Sequence, residues 1–344
     1  MIQALCKELV FKKEYLGKVV IETIYFGGGT PSILNQKQLE LLFSCLHENY
    51  TISPNAEISL EANPEDITEQ LLRSWNKIGI NRLSIGIQSF QNNYLQWMNR
   101  NHSNNDAINS VGLAKKNGFE NISIDLIYGL PNLTLEQWKC EIDIAISLNV
   151  VHISTYCLTI EERTSLIKLV KKGDVQLISE DEIEQQMLYL MNKLESVGFE
   201  QYEISNFCKP QFESKHNSSY WKHISYIGIG PGAHSYNRKN RQHNIANNAL
   251  YIKHINAANM GLITTTEDLS DIDLYNEYIL TRIRTKWGIS INELNTLLPL
   301  YSTALISILD ALCINDFIYL HEDYYKLTKK GRLLADEITL KLMV

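Results

Sequence analysis

The sequence lacks closely spaced cysteines. Six cysteines are scattered along 344 residues, and no two of them have the short separation that compact metal sites use. They are Cys6, Cys45, Cys140, Cys157, Cys208 and Cys313. This spacing disfavours a zinc site and a small disulfide framework, so we expect most of these cysteines to be reduced and to pack as small hydrophobic side chains.

Long apolar runs and an excess of positive charge are also missing. No apolar stretch approaches the roughly 20 residues that a membrane-spanning helix needs. Charged residues interrupt the opening segment, MIQALCKELVFKK, where a signal peptide would have its apolar core. The net charge of −7 argues against a broad phosphate-binding surface, because nucleic-acid binding depends on clustered Lys and Arg. We therefore expect a cytoplasmic protein whose partners are small molecules or proteins, and not nucleic acid.

The remaining composition is that of a globular protein, in which strand-like and helix-like segments alternate. Hydrophobic residues make up 44% of the chain and charged residues 21%, which does not fit a disordered chain. Strands are predicted over residues 23–27, 57–61, 82–88, 121–127 and 151–157. Helices are predicted over residues 1–16, 67–78, 106–117, 134–147 and 180–197, together with one that Asn35 caps. This alternation predicts a parallel sheet wrapped by helices.

The second half of the chain has a different pattern. A strand is predicted over residues 201–205, and the residues from there to about 248 are predicted to be rich in loops. From roughly residue 269 the pattern changes to two helices, short strands and the segment LTKKGRLLADEI. We predict a small winged-helix-like module for packing or partner binding, and we place the domain boundary between residues 248 and 249, giving domains 1–248 and 249–344.

Polar side chains recur where the predicted strands end. Glu61, Gln88 and Asp125 lie at or near three strand ends, and the glycines of GGGTPS (27–32) follow an earlier strand. Active sites of parallel α/β proteins form at these ends. Taken singly, the glycines fit a tight turn equally well, and Arg100 fits a solvated helix end. Together, successive strand ends with hydrogen-bonding groups predict a polar ligand that lies across them.

The motifs GGGTPS, EANPE, RLSIGIQSF and SIDLIYGLP follow one another in a family-specific order. In this order and spacing the chain resembles, over almost its whole length, the coproporphyrinogen-dehydrogenase-like branch of the radical S-adenosylmethionine (SAM) proteins. The resemblance implies an α/β fold, a partial (β/α)6 barrel lacking its first strand, followed by a small C-terminal helical winged-helix-like domain. It implies SAM and a [4Fe-4S] cluster as cofactors. The positions that the resemblance assigns to the SAM site are Gly28, Gly29, Thr30, Glu61, Gln88, Arg100 and Asp125.

Three motifs of the second half distinguish among members of this branch. YEISNF (202–207), HNSSYW (216–221) and YIGIGPGAHSY (226–236) resemble the HemW haem chaperones and not the coproporphyrinogen dehydrogenase HemN. The resemblance implies that the protein binds haem and delivers it to haem-requiring acceptor proteins, with a low-potential electron donor as a further partner. It makes His216 the leading candidate for an axial haem ligand and His234 the second. Without the family, a loop histidine such as His216 would more often be structural.

The cluster-binding motif of the family, CxxxCxxC, is absent, so no residue of this chain is assigned to the cluster. We interpret the sequence as beginning at an internal methionine of a longer protein, because the residues of the SAM site are retained. The alternative is a degenerate member that has lost the cluster. Two other functions stay open, namely oxygen-independent decarboxylation of coproporphyrinogen and a cluster-free haem-binding scaffold. No catalytic residue is assigned, and a homodimer and a peripheral membrane contact are left open.

Overall fold

A computed structural model describes residues 1–160, 164–297 and 299–344. The first half alternates strands and helices. In chain order these are α1 (Ile2–Phe11), β1 (Val20–Phe26), α2 (Gln36–Asn49), β2 (Thr51–Ala62), α3 (Glu69–Lys77), β3 (Arg82–Gln88), α4 (Asn92–Trp97), α5 (Asn104–Lys116), β4 (Asn121–Tyr128), α6 (Leu135–Ser147) and β5 (His152–Cys157). All five strands pair in parallel, which agrees with the predicted alternation. The strand expected to precede Met1 stays a prediction.

The sheet has seven strands, in the order β1–β2–β3–β4–β5–β7–β6. Its last two strands, β6 (Glu200–Glu203) and β7 (Asn206–Cys208), form an antiparallel hairpin where the sequence predicted one strand over residues 201–205. The Glu203 carboxylate accepts hydrogen bonds from the backbone N–H of Ser205 and from the Asn206 amide, which holds the turn between the two strands. A turn built on a buried carboxylate leaves no hydrophobic pattern by which the sequence could reveal it.

Side-chain caps define where several helices begin. Asn35 accepts a hydrogen bond from the backbone N–H of Gln38, and the Gln38 side chain accepts one from the backbone N–H of Asn35, so the predicted cap is confirmed. Ser103 and Thr134 cap α5 and α6 in the same way. The predicted helix bounds therefore differ from the observed ones by only a few residues, except that α1 ends at Phe11 and not at residue 16.

Alternation along the strands separates an apolar face from a polar one. In β3 the side chains of Leu83, Ile85 and Ile87 are fully buried in the core that the surrounding helices cover. The intervening residues, including Arg82 and Ser84, line cavities on the opposite, concave face. Because successive strand side chains point to opposite faces, a strand with this pattern presents its polar groups to the interior of a half-barrel.

The segment predicted to be rich in loops contains one helix and three short strands, β7 among them, while most of its residues lie in loops, so the prediction holds in outline but missed these elements. After α7 (Ser165–Lys172) and α8 (Glu180–Ser196) come α9 (Lys215–Trp221), β8 (His234–Tyr236), β9 (Asn240–Asn244), α10 (Asn248–Asn256) and β10 (Thr264–Asp268). The strands form a small antiparallel sheet in the order β10–β9–β8. Long-range contacts hold this region. The buried Glu8 of α1 accepts hydrogen bonds from the Gly230 backbone, Asn244 and Tyr251.

The C-terminal elements enclose a core of their own, from Tyr275 to Leu342. They are α11 (Asp271–Ile283), β11 (Ile289–Ser290), α12 (Ile291–Leu297), α13 (Pro299–Ile314), β12 (Ile318–His321), β13 (Tyr324–Leu327), α14 (Lys329–Leu333) and α15 (Ala335–Leu342). Three helices followed by the β12–β13 hairpin have the order expected of a winged-helix-like module.

Helix α10, which precedes this module, packs against α1 and not against the C-terminal core. The boundary between residues 248 and 249 stays a prediction. Within the described ranges, no helix has the length and apolar character needed to cross a membrane.

Candidate cofactor-binding site

A polar cavity of about 170 Å³ lies at the carboxyl ends of β1 to β4, and we call it the strand-end cavity. The structure brings the predicted SAM-site residues together here. Six of them line the cavity, namely Gly29, Thr30, Glu61, Gln88, Arg100 and Asp125. The seventh, Gly28, lies beside it and donates its backbone N–H to Glu61 Oε2 at 3.3 Å. Parallel strands place their carboxyl ends at one edge of a sheet, which explains why residues so far apart in sequence converge.

The glycine loop approaches Glu61 too closely for side chains. A Cβ atom at Gly27 would lie 2.7 Å from Glu61 Oε1 and 2.5 Å from Cε1 of Tyr25. Gly28 has a φ of +76°, in the left-handed region that side-chain-bearing residues rarely adopt. The Tyr25 hydroxyl donates a hydrogen bond to Glu61 Oε1 at 2.7 Å. The glycines thus leave backbone groups exposed at the cavity, where they can hydrogen-bond a ligand directly.

Gln88 is held in an uncommon backbone conformation. It ends β3 with a φ of +67°, which costs of order 1–3 kcal/mol for a residue other than glycine. The neighbouring Gly86 leaves room for the Gln88 amide, since a Cβ at Gly86 would lie 2.9 Å from Gln88 Nε2. Such strain is characteristic of ligand-binding positions. The backbone conformation of Gln88 directs its side-chain amide toward the strand-end cavity, which Gln88 lines.

The pKa of Asp125 departs clearly from its ordinary value. Burial raises the pKa of Asp125 to about 6, and the neighbouring Glu61 carboxylate adds to the rise. Hydrogen bonds from Ser154 and Ser84 and the charge of Arg82 oppose it. The Ser84 hydroxyl lies 3.2 and 3.3 Å from the two carboxylate oxygens. Asp125 therefore carries a charge that its surroundings only partly stabilise, which a cationic or hydroxyl-bearing ligand would stabilise further.

A second cavity, of about 220 Å³, adjoins the first on the concave face, and Ser84 lines both. We call it the inner cavity. Its walls come from β1, β3, β5, the β6–β7 hairpin and helix α9. The lining residues include Tyr25, Arg82, His152, Tyr156, His216 and Tyr220. The predicted haem ligand His216 therefore lies on a helix beside this cavity and not in a loop.

Both ring nitrogens of His216 have hydrogen-bond partners. Nδ1 lies 2.8 Å from the Thr23 hydroxyl, and Nε2 lies 2.9 Å from the Tyr220 hydroxyl, one helical turn further on. The ring stacks on Tyr25 with 4.9 Å between the ring centroids. Burial, helped by the positive charge of Arg82, lowers the pKa of His216 to about 4. The imidazole is therefore neutral at physiological pH, as a metal ligand must be.

Glu57 fixes helix α9 over the sheet. Its carboxylate accepts hydrogen bonds from the backbone N–H groups of Lys215 and His216 at 3.0 and 2.9 Å, and from the Ser214 hydroxyl at 3.3 Å. Ser214 in turn caps the helix by accepting from the backbone N–H of Asn217. One buried carboxylate on β2 thus decides where the HNSSYW helix lies.

A buried chain of polar groups runs behind the inner cavity. His152 Nδ1 lies 2.8 Å from the Ser123 hydroxyl, and His152 Nε2 lies 2.9 Å from the Tyr202 hydroxyl. The Asn217 amide donates to the same Tyr202 hydroxyl at 3.2 Å. Burial lowers the pKa of His152 well below its usual value, so this histidine is neutral as well. The network ties α9 to the sheet.

The second histidine candidate lies elsewhere. His234 begins β8, is exposed, and faces His243 across the small antiparallel sheet with 5.8 Å between the ring centroids. It lines neither cavity. The structure therefore does not bring the two predicted haem-ligand candidates together.

Comparison with known proteins identifies the family. The Radical SAM superfamily matches residues 8–140. The chain is 34% identical to the heme chaperone HemW of Bacillus subtilis (strain 168), over 98% of this chain and 89% of that protein. It is 31% identical to the heme chaperone HemW of Mycobacterium tuberculosis (strain ATCC 25618 / H37Rv), over 99% of this chain and 85% of that protein. The chain belongs to the HemW family.

A solved structure confirms the coarse fold of this HemW family member. Coproporphyrinogen III oxidase (HemN) from Escherichia coli, described as a radical SAM enzyme, matches with a TM-score of 0.82 at 21% identity. The match covers 99% of this chain and 82% of that one. At this identity it shows the fold alone. It confirms the α/β partial barrel of the radical SAM type, with a C-terminal region beyond it.

The cysteines of this HemW-type chain do not fit a [4Fe-4S] cluster. Throughout the described residues, no three His, Cys, Asp or Glu side chains are grouped so that they could hold a metal ion. Cys6 and Cys45 do approach each other, since the Cys45 thiol donates to the Cys6 carbonyl at 3.3 Å, but burial raises the pKa of both thiols. A cluster needs thiolates, so this pair is unsuited to hold one.

Several lining residues escaped the sequence analysis, namely Arg82, His152, Tyr156 and Tyr202. A signal for three of them was present. RLSIGIQ and HISTYC carry polar groups at every second position, whereas strands buried on both faces of a parallel sheet are usually continuous apolar runs. Tyr202 lies in a family motif, but no local pattern indicates that its hydroxyl faces His152.

Proposed function

We propose that this chain binds haem through His216 at the mouth of the inner cavity and delivers it to haem-requiring proteins. The observation that carries the proposal is the state of His216, a neutral, half-buried imidazole whose Nε2 is paired with one partly exposed hydroxyl, that of Tyr220. Movement of the Tyr220 side chain would make Nε2 available to haem iron, while Thr23 would keep the ring oriented through Nδ1. The name of the HemW relatives, heme chaperone, supports haem binding and delivery.

SAM fits the strand-end cavity by the chemistry of its residues. The Arg100 guanidinium suits the methionine carboxylate of SAM, because it offers two parallel N–H groups. Glu61 and Asp125 suit the ammonium group or the ribose hydroxyls, and the glycine loop offers backbone groups. The radical chemistry of the superfamily requires a cluster, which the cysteines of this chain do not fit, so no radical step is assigned to this chain.

A haem titration tests the proposal. We expect His216→Ala to shift or abolish the Soret band of the haem complex and to leave the far-ultraviolet circular dichroism unchanged. His234→Ala is the matched control, because His234 is exposed and lies outside both cavities. An unaltered Soret band in His216→Ala, or its loss in His234→Ala alone, would contradict the role of His216.

Delivery is tested separately, with haem-loaded protein and candidate apo acceptors. Apomyoglobin serves as a trap that measures passive dissociation of haem. Transfer to an acceptor that is faster than loss to the trap would support the chaperone function. If haem reaches no haem-requiring protein of the same cell faster than it is lost to apomyoglobin, the chain binds haem but does not deliver it.

A further inference from the structure

The guanidinium of Arg82 is buried, and one of its nitrogens lacks a hydrogen-bond partner among the described residues. Arg82 is only 3% exposed, and its Nε atom is buried without a hydrogen-bond partner in the part of the chain that the structure describes. The nearest carboxylate oxygen, Glu57 Oε2, is 3.9 Å from Arg82 Nε, beyond hydrogen-bond range. A guanidinium has five N–H donors, and burying even one of them without a partner is costly. The arrangement suggests that a ligand with acceptor oxygens completes the site.

Glu57 does not fill this role, because its oxygens have other partners. They accept from the backbone N–H groups of Lys215 and His216 and from the Ser214 hydroxyl. Glu57 therefore balances the charge of Arg82 at a distance while serving as the anchor of α9. The donor groups of Arg82 remain available to the inner cavity, which Arg82 lines.

The inner cavity has the charge and shape for a carboxylate attached to an apolar group. Among its described lining residues there is no carboxylate, and burial keeps both His152 and His216 neutral, so Arg82 is the charged group of this lining, with the carboxylates of Glu57 and Asp125 acting on it from outside the lining. Hydroxyl groups add hydrogen-bonding capacity. At the mouth, Tyr156 and Tyr220 are 46% and 40% exposed, and their rings offer flat apolar surfaces.

We propose that the inner cavity binds a carboxylate carried on a short apolar or aromatic group, with Arg82 as its anchor. The carboxylate accepts the hydrogen bonds of the Arg82 guanidinium, and the apolar part lies between the tyrosines at the mouth. The site differs from the strand-end cavity, where Arg100 is the cation. It does not depend on iron ligation by His216. The carboxylate could belong to a free small acid or to a porphyrin side chain, and the experiments below distinguish these sources.

Calorimetric titration of the full chain with benzoate and with its uncharged isostere benzamide tests the site. We expect saturable binding of benzoate and not of benzamide. Arg82→Gln should weaken benzoate binding by about 10- to 100-fold, as expected for loss of charged hydrogen bonds, and Arg82→Lys by less. Arg100→Gln is the control, since it removes the arginine of the other cavity and should leave benzoate binding unchanged. Equal binding of the two compounds, or loss in Arg100→Gln but not in Arg82→Gln, would overturn the proposal.

A measurement on the unsubstituted protein covers the case in which Arg82→Gln does not fold. Phenylglyoxal modifies arginine side chains, and peptide mass analysis gives the rate at Arg82. We expect benzoate, but not benzamide, to slow this modification. The same rate with both compounds would refute the site irrespective of any variant.

The source of the carboxylate is identified by competition with metal-free mesoporphyrin and its dimethyl ester. Competition with benzoate by the free acid alone assigns the site to a porphyrin carboxylate. Benzoate binding that neither porphyrin affects assigns it to a separate small acid, and competition by both compounds equally argues against carboxylate recognition. Because no iron is present, failure here is distinguishable from failure of the proposed ligation by His216, which the Soret titration measures.

Discussion

Replacing Asp125 with asparagine should stabilise the protein while impairing its candidate SAM site. Burial raises the pKa of Asp125 from 3.8 to about 6, which means that the folded protein disfavours the charged form. At 1.36 kcal/mol per pKa unit, keeping this carboxylate ionised at pH 7 costs up to about 3 kcal/mol. Asp125 is only partly exposed. Allowing for solvent screening, Asp125→Asn should raise the free energy of unfolding by roughly 1–3 kcal/mol at pH 7.

The gain should depend on pH in a defined direction. Below the unfolded-state pKa, Asp125 is protonated in both states, so the substitution removes no charge. As pH rises from about 4 to about 6 the unfolded chain releases its proton first, and the wild type loses stability relative to the variant. Near pH 4 the advantage should shrink to about 0.5 kcal/mol. His216 has the opposite effect over the same range, because its lowered pKa makes the folded state more stable as pH rises toward 6.5.

Urea unfolding followed by tryptophan fluorescence at several pH values measures this difference. The comparison between variant and wild type cancels the effect of His216, which both proteins share. Asp174→Asn is the control, since Asp174 is exposed and its side chain has no partner among the described residues; its effect should stay within about 0.5 kcal/mol. The reasoning about ionisation is refuted if Asp125→Asn gives the same gain at pH 4 and pH 7, or no gain at pH 7.

The remaining predictions concern the two proposed ligands. Arg100→Gln should lower the affinity for SAM by about 10- to 100-fold in calorimetry, because a charged hydrogen-bonding pair is lost, whereas the exposed Arg73→Gln should not. Unchanged affinity would remove Arg100 from the site. Tyr220→Phe should tighten haem binding in a Soret titration, since it releases His216 Nε2; weaker binding would mean that the hydroxyl assists haem. Haem binding should persist from pH 7 to about pH 5, because the pKa of His216 is about 4, and a loss centred at pH 6.5 would contradict this.

The sequence could predict the strand-end cavity because its residues follow from local patterns. Helix caps such as Asn35 act over a single turn, and the strand alternation determines which segments pair in parallel. Once the strands are parallel, Glu61, Gln88 and Asp125 must meet at one edge of the sheet, whatever the exact register. The family motifs then indicated SAM as the ligand, which the local sequence patterns alone could not do.

The position of His216 could not be predicted in this way. The sequence predicts a loop at His216, but this residue lies in α9, a helix whose start is fixed by Glu57, 159 residues away along the chain. Its two ring partners, Thr23 and Tyr220, lie on different elements, and one of them is on the first strand. The contact with Thr23 leaves no pattern in the sequence, and the four-residue spacing between His216 and Tyr220 is too short a signal to reveal the helix by itself.

Sequence alone determined the α/β alternation, the helix caps and the set of residues at the strand ends, because these depend on neighbours within a few positions. Only the tertiary structure decided that the polar side chains of the strands enclose a cavity and that the Nε atom of Arg82 lies there without a hydrogen-bonding partner among the described residues. The same holds for the neutral state of His216. Burial and charge balance depend on which distant segments cover a side chain, and those contacts arise only when the chain is folded.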